Sequence, residues 1–217
     1  MLRSEYANTE TSTTARMPGG EVTRIPLDEE LWHGFQNGDE SCFTAIYQRY
    51  SNRVYAYIRL LLATAERSQL DDVFQDTWIK IYQQKDRFEI HPNSSLSGWI
   101  FRLAHNTTIS LLRKTKHLTS LDDAELSEDA IRAVTVEASS VYNEELSTEQ
   151  MMSLVLESID KLPLPLREVF VLSEIDHASL DTISETLGIS KTNAKVRLFR
   201  ARKLLREILS PMLDVTN

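Results

Sequence analysis

The 217-residue chain has a single cysteine, Cys42, only six glycines and six prolines, and no long apolar run. One thiol excludes an internal disulfide framework and any zinc site built from several cysteines. So few glycines and prolines exclude a β-sandwich or a turn-rich barrel, which use these residues at their corners. No stretch approaches the roughly 18 apolar residues of a membrane-spanning helix, and the N-terminus lacks the hydrophobic core of a signal peptide. With 41% apolar residues, the chain is predicted to be mainly helical and cytoplasmic.

Charge is distributed unevenly along the chain. The total net charge of −8 on its own argues against a nucleic-acid-binding protein. Nine acidic residues and one basic residue lie between residues 117 and 150, and the rest of the chain has equal numbers of acidic and basic side chains. Seven basic residues and no acidic residue lie between Lys191 and Arg206. The pattern therefore predicts an acidic segment and a basic helix that binds anions.

Composition and hydrophobic periodicity divide the chain into four segments. Residues 1–27 are rich in Ser, Thr and Glu and have no apolar period, which predicts a flexible tail. Residues 28–116 and 151–217 have apolar residues at helical spacing. Residues 117–150 are acidic without a sustained period, so we expect a linker there, in which residues 121–136 could form a short helix. The predicted fold class is all-α, with two small helical domains joined by an acidic linker.

Capping signals and apolar spacing predict four helices in the first domain. Asp28 and the Asn-Gly pair at residues 37–38 bound a short helix, and Asp39 is the predicted N-cap of the second. Ser68 begins a capping-box sequence for the third helix, and the fourth covers residues 99–116. The residues predicted to face the core are Phe43, Ile46, Tyr47, Tyr50, Val54, Ile58 and Leu61 in the second helix, Leu70, Phe74, Ile81 and either Thr77 or Trp78 in the third, and Ile100, Leu103, Ala104, Thr107 and Leu111 in the fourth.

Local signals in the second domain predict a helix-turn-helix hairpin. Ser179 is predicted to cap a helix over residues 180–187, Gly188 to adopt the left-handed turn conformation, and Ser190 to cap a second helix. Such a helix can enter a DNA major groove, where Arg and Asn contact base edges and Lys neutralises phosphates. The alternative is a hairpin with a solvated basic surface. The run of basic residues without an acidic residue favours the DNA-binding interpretation. The candidate DNA-contacting residues are Ser190, Lys191, Thr192, Asn193, Lys195, Arg197 and Arg200.

A polar stripe is predicted on the third helix, where Asp72, Gln75, Asp76 and Ile79 follow helical spacing. The stripe is either an ordinary solvated surface or a docking surface for a basic partner. The sequence from residue 71 to 76 also resembles the paired-aspartate magnesium site of helical prenyl-transferring enzymes, but those enzymes need a larger bundle and a second metal motif. We therefore predict no metal site, no cofactor and no enzymatic activity.

The fourth helix has a second predicted outward stripe, and a polar loop precedes it. The stripe includes His105 and Ile109, and the loop lies between Phe88 and Trp99. Aromatic rings beside amide and basic side chains suit the binding of unpaired nucleotide bases, because nucleotide bases stack on aromatic rings. Alternatively both aromatics belong to the core and the loop only connects helices, which we favour for Trp99. The candidate nucleic-acid-contacting residues are His91, Asn93, Ser94, Ser95, Arg102, Asn106, Arg113 and Lys114.

Four segments carry short motifs in a fixed order. Residues 72–78 (DVFQDTW) resemble the pattern D-x-x-Q-E-x-F, and residues 99–106 (WIFRLAHN) resemble W-L-x-x-I-A-x-N. Residues 162–172 fit L-P-x-x-x-R-E-V-x-x-L, and residues 189–205 resemble I-S-x-x-T-V-K-x-R-L-x-R-A-R-x-x-L. Together they resemble the bacterial RNA polymerase sigma factors of the extracytoplasmic-function type. The chain departs from the usual family residues at Ser110, Thr182, Ser184, Asn193 and Ala194.

The resemblance implies a function in transcription initiation. The first domain, region-2-like, would dock on the polymerase clamp through the stripe of the third helix and hold an unpaired base of the minus-10 element. The second, region-4-like, would contact the minus-35 element as duplex, and the linker would follow the RNA-exit path. The implied partners are core RNA polymerase and promoter DNA, with an anti-sigma factor as a further candidate. The alternative is a stand-alone helix-turn-helix regulator that binds DNA without polymerase.

Overall fold

The computed structural model describes residues 14–16, 22–62, 64–91, 95–116 and 148–213, and the chain divides into two compact units, residues 1–49 and 50–217. Residues 117–147 of the predicted linker lie outside the part of the chain that the structure describes. In the described part, the elements are β1 Thr14–Arg16, β2 Val22–Arg24, α1 Asp28–Gln36, α2 Glu40–Leu61, α3 Leu70–Gln83, α4 Leu96–Lys116, α5 Thr148–Asp160, α6 Leu164–Ile175, α7 Leu180–Leu187 and α8 Lys191–Leu213, with 3₁₀ helices at Thr64–Gln69 and Lys85–Arg87. The all-α prediction is confirmed, with the short ribbon β1–β2 as the exception.

The ribbon β1–β2 lies in the segment predicted to be a flexible tail. Thr14 pairs with Arg24 and Ala15 with Thr23 in antiparallel register. Each strand has three residues, which is too short to show the alternation of apolar and polar residues that identifies a strand. The pairing uses backbone groups that every residue carries. The prediction of a flexible tail is therefore wrong at residues 14–16 and 22–24.

The start of α2 follows the predicted capping signals. Asn37 caps the end of α1, and Gly38 adopts the left-handed region at φ 94°, where an L side chain is disfavoured. Asp39 then accepts a hydrogen bond from the Ser41 amide through Oδ1 at 2.9 Å. These local interactions end one helix and begin the next, as predicted. In the first unit, the Trp32 and Phe35 side chains of α1 are fully buried.

The core face of α2 agrees with the predicted period at most positions. Of the predicted residues, Ile46, Tyr50, Val54, Ile58 and Leu61 are buried. The prediction is wrong at Tyr47, which is 39% exposed, because its phenol ring lies beyond the edge of the buried stripe. Tyr57 is fully buried although it was not predicted to be.

The predicted capping box of α3 is wrong. Ser68 lies within the 3₁₀ helix that ends at Gln69, and α3 begins at Leu70 without a side-chain hydrogen bond at its N-cap. The preceding 3₁₀ turn provides hydrogen-bond partners for some of the backbone N–H groups that a Ser side chain would otherwise cap. Thr77 and Trp78, offered as alternatives, are both buried, and the Thr77 hydroxyl donates to the Val73 carbonyl at 2.7 Å.

Helix α4 begins three residues earlier than predicted and buries more of its circumference. Ser95 caps it, since its Oγ accepts a hydrogen bond from the Gly98 amide at 3.0 Å. His105 and Ile109, predicted to face outward, are only 9% and 8% exposed. The outward prediction is wrong at both positions because a second layer of helices covers this side of α4, and helical periodicity cannot reveal such long-range packing.

The helix-turn-helix forms as predicted. Ser179 Oγ accepts a hydrogen bond from the Thr182 amide, Gly188 has φ 66°, and Ser190 Oγ accepts from the Asn193 amide. Helix α5 starts at Thr148, within the segment predicted to be linker. His177, between α6 and α7, has φ 51°, a left-handed conformation that is uncommon for a residue with a side chain.

The second unit is held together by helix packing and by buried polar contacts. Helix α4 packs against α3 and α7, and α8 packs against α6, α7 and α5. Arg167 of α6 is buried and donates hydrogen bonds to the carbonyls of Leu61 at 3.3 Å and Leu162 at 3.0 Å. A charged donor shared among backbone carbonyls fixes the end of α2 beside α6. Within the described residues, no helix is both long and apolar enough to cross a membrane.

Candidate functional site

The predicted stripe of α3 is exposed along one side of the helix. Asp72, Gln75 and Asp76 are exposed, and Ile79 is 44% exposed. Tyr82, one turn further on, is 41% exposed and continues the stripe. Tyr82 was not predicted from the sequence, although its position three residues after Ile79 on the same helix face could have indicated it. The stripe combines acidic, amide and apolar groups in one accessible surface, which suits a protein partner.

Asp71, the first aspartate of α3, contacts helix α2. The Tyr55 hydroxyl donates to Asp71 Oδ1 at 3.3 Å, so this carboxylate turns toward α2. Over the part of the chain that the structure describes, no three His, Cys, Asp or Glu side chains are grouped as metal ligands.

The predicted nucleic-acid-contacting residues of α4 lie together. Arg102, Asn106, Arg113 and Lys114 are exposed and line one cleft of about 640 Å³. The opposite wall is formed by residues 185–188, the end of α7 and the turn of the helix-turn-helix. The cleft thus has three basic side chains and one amide on the α4 wall, a combination that suits phosphates and base edges.

The loop before α4 is only partly described. His91 and Ser95 are exposed, whereas Asn93 and Ser94 lie outside the described residues. Phe88 and Trp99 flank the loop and stack on each other, with ring centroids 4.6 Å apart and planes 13° apart. Phe88 is 9% exposed and Trp99 is half-buried. The two rings therefore hold the ends of the loop together, which agrees with a core contribution from Trp99.

A buried polar group lies beneath the α4 stripe. His105 Nδ1 is 3.1 Å from the Tyr57 hydroxyl, and its Nε2 is 4.0 Å from Glu168 Oε1 of α6. Burial lowers the pKa of His105 to about 4, and the positive charge of Arg113 adds to this effect. His105 is therefore neutral near pH 7, and its contact with Glu168 is not an ion pair.

Glu168 is a buried carboxyl group that was not predicted from the sequence. Burial raises the pKa of Glu168 to about 7, and the nearby positive charges of Arg197, Arg113 and Arg167 oppose this rise. Two of these arginines, Arg113 of α4 and Arg197 of α8, are predicted DNA-contacting residues. The signal that could have found Glu168 is an ionisable residue next to Arg167 within a largely apolar stretch of helix α6.

The basic helix α8 presents most of its predicted DNA-contacting residues to solvent. Ser190, Lys191, Thr192, Lys195 and Arg200 are exposed, and Asn193 and Arg197 are half-buried. Lys191 Nζ forms an ion pair with Asp181 Oδ1 of α7 at 2.7 Å. The structure thus brings these residues together at the start of one helix, where a helix-turn-helix enters the major groove.

Two apolar side chains lie among the basic side chains of α8, and they were not predicted to be exposed. Phe199 is 69% exposed and Val196 is 42% exposed. The buried residues Ala194, Ala201 and Leu204 define the inner face of α8, and Phe199 lies off this face. Helical spacing could have indicated its exposure. An exposed ring between Lys195 and Arg200 is available for contact with thymine methyl groups or a partner protein.

Comparison with known proteins agrees with this geometry. The family profile described as Sigma-70 region 2 matches residues 46–118, and that described as Sigma-70, region 4 matches residues 152–205. The ECF RNA polymerase sigma factor SigW of Bacillus subtilis is 32% identical over 179 residues, which cover 80% of this chain and 92% of the relative. The chain belongs to the extracytoplasmic-function (ECF) sigma factors.

Further relatives are consistent with this membership. The ECF RNA polymerase sigma-E factor of Haemophilus influenzae is 28% identical, over 86% of this chain and 97% of that protein. The fold is similar to that of the sigma factor RpoE in its complex with the anti-sigma factor NepR from Bartonella quintana, with a TM-score of 0.57, 20% identity, and coverage of 77% of this chain and 96% of that one. It is also similar to CnrH in complex with the cytosolic domain of CnrY, with a TM-score of 0.53, 23% identity, and coverage of 88% and 99%.

As an ECF sigma factor, the chain binds core RNA polymerase and promoter DNA and directs promoter-specific initiation of transcription. It is not an enzyme, because sigma factors contribute binding and specificity rather than covalent chemistry. Membership of this family favours the sigma-factor hypothesis over a regulator that acts without polymerase.

Proposed function

We propose that residues 28–116 dock on core polymerase and engage the minus-10 element, and that residues 151–217 contact the minus-35 element as duplex. The observation that carries this division is the separation of three exposed surfaces. The α3 stripe contains two carboxylates, whereas the α4 stripe and the start of α8 are basic. Acidic groups suit a basic protein partner, and basic groups suit phosphates. Residues 117–150 connect the domains and follow the RNA-exit path of the polymerase.

We propose Asp72, Gln75, Asp76 and Ile79 as the polymerase-binding residues, with Tyr82 extending the surface. The double variant Asp76→Arg/Gln75→Ala tests this assignment. Loss of charge-assisted contacts should weaken core binding by about 2–4 kcal/mol, tens- to several-hundred-fold. The measurement is a titration of core polymerase with labelled sigma factor, and circular dichroism checks that helicity is retained. Glu29→Arg, which reverses an exposed acid of α1, is the matched control; equal affinities for the two variants would refute the assignment.

We propose that the minus-10 contacts come from the loop at residues 91–95 and from Arg102, Asn106, Arg113 and Lys114 of α4. An unpaired base extruded from the duplex needs hydrogen-bonding groups and a cationic surface beside it. Replacing Asn93 and Ser94 with glycine should reduce permanganate reactivity of promoter thymines more than it reduces core binding. Unchanged strand opening in this variant would remove the loop from the proposal.

The start of α8 is proposed to contact the minus-35 element, through Ser190, Lys191, Thr192, Asn193, Lys195, Arg197 and Arg200. Run-off transcription with core enzyme and a promoter library tests the whole assignment. Transcription should require core polymerase, and the sigma factor alone should not select the same promoters. We further propose a cytoplasmic location, where its polymerase partner acts, and regulation by an anti-sigma factor. Selection of the same promoters by the isolated chain would favour the stand-alone regulator instead.

A further inference from the structure

Helix α8 presents a line of methyl groups and one aromatic ring to solvent. Phe199 is 69% exposed, the largest exposed fraction among the big apolar side chains that the structure describes. Val196 lies one turn before it and is 42% exposed, and Thr192 lies one turn before Val196 and is exposed as well. A single exposed apolar side chain is common on protein surfaces. Three side chains in line form a continuous strip, which we call the α8 apolar stripe.

The α8 apolar stripe lies directly opposite the buried side of the helix. Successive residues of an α-helix are rotated by about 100°, so Thr192, Val196 and Phe199 point in directions that agree within about 60°. By the same rotation, the buried Ala194 and Ala201 point about 180° away from the middle of the stripe. A helix that is packed from behind presents its opposite side to a groove. The stripe is therefore the part of α8 that reaches deepest into any groove that the helix enters.

Basic side chains border the stripe on both sides. Lys195 lies on one side and Arg200 on the other, each rotated by about 70° from the middle of the stripe, and both are exposed. Lys203, one turn beyond Phe199, ends the stripe with a positive charge. Within α8 the first acidic residue is Glu207. Across the exposed side of the helix, the order is therefore cation, apolar strip, cation.

The major groove of B-DNA presents the complementary order. Phosphates line the two edges of the groove and base edges lie between them, where thymine carries a methyl group. An α-helix with its side chains is about 10–12 Å wide, and the groove is about 12 Å wide. The cations on both sides of α8 would then meet phosphates while the stripe faces the base edges. Phenylalanine and the methyl group of threonine are side chains that pack against the thymine methyl group.

We propose that Phe199, with Val196 beside it, is a specificity-determining residue that selects a thymine of the minus-35 element through its methyl group. The proposal rests on the proposed contact between α8 and minus-35 duplex, and it adds two residues to those assigned there. Contact with a methyl group removes apolar surface of the exposed ring from water, which is favourable. The polar groups of the other base edges do not offer this gain.

Uracil tests the methyl group alone, because it pairs with adenine as thymine does and lacks only the C5 methyl. The probes are duplexes of the promoter that is most active in the run-off library, with each minus-35 thymine of either strand replaced singly by uracil. Holoenzyme with the unmodified chain should bind at least one of them about three- to fivefold more weakly, as expected for the loss of one buried methyl group. Equal affinity for all these duplexes would overturn the proposal, as would a selected element without thymine in either strand.

Variants of Phe199 connect the methyl effect to the ring. Holoenzyme with Phe199→Ala should bind the thymine and uracil duplexes equally, whereas Phe199→Leu, which keeps an apolar side chain, should retain about a twofold preference for thymine. Met152→Ala is the matched control, because Met152 of α5 is 58% exposed and lies outside α8; this variant should keep the full preference. Urea unfolding checks that all three variants are folded. A full preference for thymine in Phe199→Ala would show that the ring does not contact the methyl group.

Methylated cytosine gives the converse measurement. At the position where uracil weakens binding, a C·G pair and a 5-methylcytosine·G pair differ only by the methyl group. Holoenzyme with the unmodified chain should bind the methylated duplex about three- to fivefold more tightly, and holoenzyme with Phe199→Ala should bind both duplexes equally. Equal binding of the two duplexes by the unmodified chain would contradict the proposed contact.

Binding to core polymerase separates this proposal from the alternatives. Phe199→Ala should leave the affinity for core polymerase unchanged. A tenfold loss of core binding with an unchanged preference for thymine would make the ring a protein-docking residue and overturn the proposal. Selection of the same promoters by the chain without polymerase would count against the proposed function instead, while the comparison of thymine with uracil would still measure the contact made by the ring.

Discussion

Helices α4 and α8 are both basic and both proposed to contact DNA, but their charged side chains are held in different ways. On α8, Lys191 pairs with Asp181 at 2.7 Å and Lys203 with Glu207 at 3.7 Å, all within one helix-turn-helix module. Exposed pairs of this kind contribute about 0–1 kcal/mol each, so phosphates can replace the acidic partners at little cost. On α4 the basic side chains of Arg102, Arg113 and Lys114 are exposed and line a cleft opposite residues 185–188 of the helix-turn-helix.

The largest effect is expected on α4. Arg102→Ala/Lys114→Ala removes two proposed charge-assisted contacts, and two such contacts contribute about 3 kcal/mol or more, over a hundredfold in affinity. Promoter binding by the holoenzyme should weaken accordingly, and the slope of log affinity against log salt should fall by about 1.4 for contacts to single-stranded DNA and about 1.8 for contacts to duplex DNA. Arg59→Ala/Arg87→Ala, which removes two exposed bases outside both stripes, should leave the slope unchanged. An unaltered slope in the α4 variant would assign these residues to ordinary solvated surface.

A comparable effect, on the free energy of unfolding, is expected from the buried pair formed by His105 of α4 and Glu168 of α6. The pKa of Glu168 is raised to about 7 from 4.5, so the folded chain holds a proton that the unfolded chain has released, and stability rises as pH falls from 7 to 4.5. The pKa of His105 is lowered to about 4 from 6.5, so the unfolded chain binds a proton that the folded chain does not, and stability falls as pH falls from 6.5 to 4. Each shift corresponds to about 3 kcal/mol.

These opposing contributions nearly cancel between pH 4.5 and 6.5 in the unmodified chain, and single substitutions should reveal them. His105→Gln should become more stable as pH is lowered through this range, by about 3 kcal/mol relative to the unmodified chain. Glu168→Gln should become less stable by a similar amount. Urea unfolding at several pH values measures both. Parallel pH profiles for the two variants would mean that neither group has the shifted pKa.

A smaller effect, on sequence preference, is expected on α8. Arg197→Ala or Asn193→Ala should change which minus-35 sequences are used, by about 1–3 kcal/mol per lost base contact. Lys203→Ala should instead weaken all promoters about equally or have no effect, because Lys203 pairs with Glu207 further along the helix. Transcription from a promoter library with each variant is the measurement. A uniform loss without a change of preference in the first two variants would make them phosphate contacts.

The same two helices show what can be predicted from the sequence. The turn between α7 and α8 was predicted correctly because Ser179, Gly188 and Ser190 act through hydrogen bonds and backbone angles within a few residues. On α4 the exposed residues Arg102 and Asn106 were also predicted correctly.

Other features depend on contacts that local sequence does not encode. His105 and Ile109 were placed on the wrong face because the helices that cover them come from a distant part of the chain. The Ser68 capping box was wrong because a 3₁₀ helix occupies the turn in which the box would form. Glu168 was not singled out because its role depends on the charges of α4 and α8 around it. Local chemistry thus predicted elements and exposed surfaces, whereas burial between the domains required the structure.

The smallest effect is expected at the turn that precedes the helix-turn-helix. His177 has φ 51°, a left-handed conformation that disfavours a residue with a Cβ atom by about 1–2 kcal/mol, whereas glycine adopts it freely. His177→Gly should therefore stabilise the fold, although glycine's greater freedom in the unfolded chain reduces the gain to about 0.5–1 kcal/mol. His177→Ala is the control, since alanine removes the imidazole but keeps the Cβ atom. Urea unfolding should show stabilisation for glycine only. Equal gains from both substitutions would place the cause in the imidazole and not in the backbone. Because His177 is exposed and lies before α7, neither change should alter promoter preference, which separates the stability of this module from the contacts that α8 makes.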